Sequence, residues 1–153
     1  MSSQASDAAS RPVSWWILQA TGWLFLAYLT YAQLIPVFDY DLGVRMGTQE
    51  TAAQVTEVGV AYWWAFAFGD LVTYAPLLAA GLIGHALGRT WGRILPAAAL
   101  GITVYWPVVS LAAVYAAQGS EGWALTDTAA FWVVLPLITA WGAWRLWVLI
   151  REV

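Results

Sequence analysis

Four apolar runs divide the chain, at about residues 15–37, 62–87, 94–118 and 128–150, and Asp70 and Arg145 are the charged residues inside them. Each run is long enough to cover a hydrocarbon core of about 30 Å, which takes roughly 20 helical residues. The pattern predicts an all-α, polytopic integral membrane protein, a four-transmembrane-helix bundle in which residues 14–153 form one domain. The first run is far longer than the apolar stretch of a signal peptide and is read as a retained helix. Residues 1–13, rich in Ser and Ala, hold too little apolar content to fold alone and read as a mobile tail. Between the first two runs, Thr51 and Gln54 have capping-box spacing, so a short helix is expected from about Gln49 to Val58, ending at Gly59. It would either lie on the membrane surface or extend the second helix.

The arginines set the expected orientation, because cytoplasmic loops keep an excess of positive charge. Arg11 precedes the first run, Arg89 and Arg93 occupy the short turn between the second and third, and Arg151 follows the fourth. All four fall on one side. The opposite loops carry Asp39, Asp41, Glu50, Glu57, Glu121 and Asp127 against Arg45. Both termini are therefore expected to be cytoplasmic. Trp15, Trp16, Trp91, Trp144 and Trp147 would form an aromatic belt at the inner interface, and Tyr40, Tyr62, Trp63, Trp64 and Trp123 one at the outer.

Composition narrows the function classes. Of 153 residues 61% are apolar and 10% charged, against roughly 25% charged in a soluble domain, which excludes a water-soluble globule. Nine acids against six arginines leave a net charge of -3, so nucleic-acid binding has no electrostatic basis. The chain has no cysteine, which excludes a disulfide scaffold, a thiolate metal site and a Cys nucleophile. His85 is the one histidine, and no neighbouring acids complete a metal triad around it. It reads as an interfacial or packing residue, and Arg145 as a side chain that snorkels to the same interface. With no Ser-His-Asp arrangement, phosphate-binding glycine loop or paired catalytic carboxylates, an enzyme of a familiar hydrolytic kind is not expected, and neither is a metal or a cofactor.

The candidate site gathers around Asp70, since an ionisable group inside a membrane helix is costly and a functional candidate by default. At 100° per residue, Thr73, Tyr74, Gly81, Gly84 and Gly88 project on the same broad face as Asp70. Gly84 and Gly88 also have the small-xxx-small spacing of close helix contacts. Matching depths, Asp70 should meet Tyr28 and Tyr31 of the first helix, Trp106 and Ser110 of the third and Thr139 of the fourth. Pro76, Pro107 and Pro136 would free the carbonyls of Val72, Thr103 and Trp132 near the same level. The expected polar interior is therefore Asp70, Thr73, Tyr74, Tyr28, Tyr31, Trp106, Ser110 and Thr139.

Such an interior suits a binding or accessory membrane protein that holds a small apolar or amphipathic ligand, or docks another membrane subunit or a second copy of itself. The lipid bilayer is the expected surrounding. Two alternatives use the same acid: a proton-coupled small-molecule transporter in which Asp70 titrates, and a membrane enzyme acting on a lipid or isoprenoid with Asp70 as general acid.

Overall fold

The computed structural model describes residues 11–151, so most of the expected tail, as far as residue 10, lies outside the described residues. Among the described residues there is no strand, and the chain is an all-α bundle of four long apolar helices. We label them α1 (Val13–Phe38), α3 (Ala52–Ala86), α4 (Trp91–Ala117) and α5 (Ala129–Arg151). A short helix, α2 (Tyr40–Arg45), interrupts the first connection. Their lengths and apolarity place the protein in a membrane. The ends carrying Arg11, Arg89, Arg93 and Arg151 form the arginine end, and the two longer connections form the loop end.

Helices α1 and α3 each contain one wide turn. Thr30–Leu34 and Asp70–Tyr74 are π turns, closed by the Ile35 N–H on the Thr30 carbonyl and the Ala75 N–H on the Asp70 carbonyl. Each lies just ahead of a proline, Pro36 or Pro76. A proline ring clashes with the carbonyl four residues back and brings no N–H, and the wider i→i+5 turn eases the clash. The two π turns pack against each other, which brings the interrupted segments of α1 and α3 to one level.

The second helix begins ten residues earlier than expected, at Ala52 rather than Tyr62. The capping box explains the start: Gln54 Oε1 accepts from the Thr51 N–H at 2.9 Å and the Thr51 hydroxyl at 3.0 Å. The short helix expected there is the first turn of α3, joined to it through a kink. Thr56 stands at φ 67°, ψ 167°, and its hydroxyl accepts from the Gly59 N–H at 3.3 Å as an internal N-cap. The interruption frees the Gln54 carbonyl, which accepts from the Ala124 N–H at 2.8 Å and ties the connection between α4 and α5 to the first turn of α3.

At the arginine end α3 stops in a Schellman motif, with the Arg89 N–H on the Gly84 carbonyl, the Gly88 N–H on that of His85, and Gly88 at φ +65°. Gly88 therefore ends the helix and does not pair with Gly84 across an interface. Close packing falls instead to Gly81, Gly84 and Gly92. A Cβ on Gly81 would lie 2.7 Å from the Pro96 nitrogen, and one on Gly92 would overlap the backbone of Gly84 and His85.

Helix α5 packs along α4 through Leu135, Ile138, Gly142, Arg145 and Leu149. Their alternating spacing of three and four is that of a supercoiled seam. Arg145 occupies a seam position and is 0% exposed, so it does not snorkel; its guanidinium lies 5.2 Å from the Trp144 ring. The phase of the apolar seam overrides its place near the helix end. His85 stacks on Trp15 at 5.8 Å, and its Nδ1 lies 3.1 Å from Gln19 Nε2. Gln19 also donates to the Leu82 carbonyl at 3.1 Å, and Arg11 reaches the Ala86 carbonyl at 3.2 Å.

Candidate functional site

In the loop-end half of the bundle the helices separate. Helix α1 packs on α3, and α5 on α4, but α1 meets α5 only sparsely. Phe25 and Trp141, with ring centroids 5.8 Å apart, bridge α1 and α5 on the arginine side of this gap. Beyond them lies a cavity of about 400 Å³. Tyr28, Tyr31 and Gln33 line it from α1, Phe131, Val134 and Leu135 from α5, Trp63 from α3, and Trp106 and Ser110 from α4. The segment from Met46 to Glu50 covers its loop-end mouth.

That covering segment is anchored by hydrogen bonds. Gln49 Nε2 donates to the Ala32 carbonyl at 2.9 Å, the Tyr40 hydroxyl to the Glu50 carbonyl at 3.0 Å and the Thr48 hydroxyl to the Gly43 carbonyl at 3.2 Å. Tyr31 reaches the Met46 carbonyl at 3.5 Å. Asp39 caps α2 through the Leu42 N–H at 2.8 Å and meets Arg45 at 3.7 Å. Burial holds the Glu50 carboxyl above its ordinary range. The Tyr40 phenol is pushed up to about 12 by burial and, secondly, by the nearby Glu50 charge.

Of the eight residues expected to share one interior, Tyr28, Tyr31, Trp106 and Ser110 meet at the cavity. Tyr74 lies deeper, its hydroxyl bonded to that of Thr103. Because the Thr103 hydroxyl donates to the Ala99 carbonyl at 2.9 Å, Tyr74 is the donor of the pair. Thr139 is half-buried and turns its hydroxyl to the Leu135 carbonyl of its own helix at 3.0 Å. Thr73 is exposed on the outside of the bundle. The expected helical face assumed 100° per residue throughout; the π turn advances less per residue and carries Thr73 away from the Asp70 face.

Asp70 is 5% exposed and does not line the cavity. It sits one turn toward the arginine end from Phe66, whose ring lies 6.2 Å from Trp106. Its level therefore falls between Trp106 and the Tyr74–Thr103 pair. Among the described residues, none forms an ion pair or hydrogen bond with its carboxyl. The Ser110 Oγ is buried without a hydrogen-bond partner among the described residues, whereas most buried polar groups in proteins have one, and the Trp106 indole N–H is buried beside the Tyr74 hydroxyl.

Sequence reasoning missed Gln49, Trp63 and Phe131 as cavity residues. For Gln49 a signal existed: Pro36 leaves the Ala32 carbonyl in need of a donor, and a lone glutamine in the following loop is a candidate. Phe131 carried no such signal, since an aromatic at the start of a membrane helix is ordinary. Comparison with protein-family models, curated proteins and solved structures finds no match to the chain.

Proposed function

We propose that this membrane protein is of the binding type, and that the cavity between α1, α4 and α5 holds a small apolar or amphipathic ligand drawn from the bilayer. The observation that carries this reading is the cavity itself, about 400 Å³ and walled largely by aromatic and aliphatic side chains. Volumes in this range suit small-molecule sites, which are mostly apolar with a few placed polar groups. Sparse packing between α1 and α5 supports entry from the lipid side. The arginine asymmetry supports cytoplasmic termini, which would turn the cavity mouth and its Met46–Glu50 cover outward.

Native mass spectrometry of gently extracted protein tests this. The wild-type chain should carry a bound lipophile, and Ala130→Trp, which fills the cavity from the α5 wall, should lose it without losing the fold. Identical spectra for the two proteins would overturn the reading.

Proton-coupled transport is the second reading, favoured by the buried Asp70 carboxyl, which has no ion pair or hydrogen bond among the described residues. It requires proton release on substrate addition that Asp70→Asn abolishes.

A further inference from the structure

The charged and aromatic groups of the cavity point to the class of its occupant, a refinement that rests on the binding reading above. Glu50 is the one charged residue in the lining, and it stands at the loop-end mouth in the segment that covers the cavity. It is half-buried, whereas the Trp106 indole nitrogen and the Ser110 hydroxyl are enclosed. Among the described residues, no ion pair or hydrogen bond joins its carboxylate to another residue. Arg45, the nearest cation in the sequence, is turned to Asp39 at 3.7 Å and does not line the cavity. Burial disfavours the charged form of Glu50. A cation beside it would offset that effect, and an anion would add repulsion.

The other walls suit a cation as well. Tyr28, Tyr31, Trp63 and Phe131 line the same space, and an aromatic face attracts a positive charge. The loop end as a whole carries Asp39, Asp41, Glu50, Glu57, Glu121 and Asp127 against Arg45, a field that draws cations toward the mouth. Farther in, Val134, Leu135 and the Trp106 ring make an apolar wall. The two ends of an amphiphile are thereby assigned, with its charge at the mouth and its alkyl chain inside.

We infer that the cavity selects a lipophilic organic cation, an alkylated ammonium group on an alkyl chain, whose charged head pairs with Glu50 beside the aromatic rings of the lining.

The test uses the full chain in phosphatidylcholine nanodiscs at about 0.15 M salt, where distant surface charges are screened. Two deuterated probes of equal shape, decyltrimethylammonium and its carbon isostere 2,2-dimethyldodecane, are compared at equal mole fraction in the lipid, with protein-free discs subtracted. The cation should bind about tenfold or more tightly than the hydrocarbon, as a partly desolvated ion pair and cation–π contact together allow. Glu50→Gln should remove most of that preference and leave hydrocarbon binding unchanged, and Glu50→Asp, which keeps the charge, should retain part of it. Glu121→Gln removes the same unit charge from the loop end outside this cavity and should change the binding of neither probe. Equal binding of the two probes, insensitive to Glu50→Gln, overturns the cation inference while the apolar cavity stands. A preference that Glu121→Gln lowers as much as Glu50→Gln does also overturns it, because the charge of the loop end would then account for the difference. Binding of neither probe overturns both readings.

Discussion

The side-chain amide of Gln49 donates to the backbone carbonyl of Ala32 at 2.9 Å, inside the protein, and that carbonyl lies four residues ahead of Pro36. A loop side chain thus supplies the donor that proline removed from the helix. Gly43 makes room for it, since a Cβ there would lie 2.7 Å from Pro36 Cγ and 2.9 Å from Gln49 Cγ.

Gln49→Ala should therefore destabilise the protein by about 1–3 kcal/mol, the cost of a buried carbonyl left unsatisfied. Denaturant unfolding in mixed micelles measures it. In the Pro36→Ala background, where an N–H returns to the helix, the same substitution should cost clearly less; full additivity of the two would sink the explanation.

Gly92→Ala should lower stability by about 1–3 kcal/mol or more, because its methyl group meets backbone and no side chain can yield. A methyl group on Gly101 would instead enter open space, with nothing within 4 Å. Gly101→Ala should accordingly be neutral or slightly stabilising, and thermal unfolding of the two variants side by side separates close helix approach from helix propensity.

At Thr56 the backbone adopts φ 67° and ψ 167°, a region that costs a side chain of order 1–3 kcal/mol. Thr56→Ala loses the cap and keeps the strain, whereas Thr56→Gly loses the cap and relieves it. The glycine variant should be the more stable of the two, opposite to the ordinary helical order in which alanine leads by about 1 kcal/mol. An alanine variant of higher stability would count against the kink.

Burial raises the Glu50 pKa above its ordinary 4.5. The folded chain then holds this proton more tightly than the unfolded chain, so stability falls as pH rises from about 4.5 through the folded value. Glu50→Gln should match the wild type near pH 4 and exceed it near pH 8. Unfolding midpoints at the two pH values decide the matter, and a less stable variant at pH 8 contradicts it.

The absence of cysteine allows clean single-site labelling. With cytoplasmic termini, Glu121→Cys should react with an impermeant maleimide on intact cells, and Arg89→Cys only after lysis. The reverse pattern would invert the proposed orientation.

Helix number and the membrane setting were legible in the chain because apolar length and charge exclusion are local properties. So was the buried stripe of α4, where Ala99, Thr103, Trp106 and Ser110 follow an uninterrupted helical phase. The face of α3 was legible only as far as its turns stayed regular. At Asp70–Tyr74 the π turn shifted the phase, and Thr73 left the interior.

The sequence by itself determined four spans, their charge asymmetry and a buried acid in the second, since each follows from what a bilayer excludes. Tertiary structure alone decided that Arg145 is buried, that Gln49 serves the Ala32 carbonyl, and that the open space lies beside Trp106 and Ser110 rather than at Asp70. Those outcomes depend on which helices touch and which stay apart, and no single span encodes the distance to its neighbour.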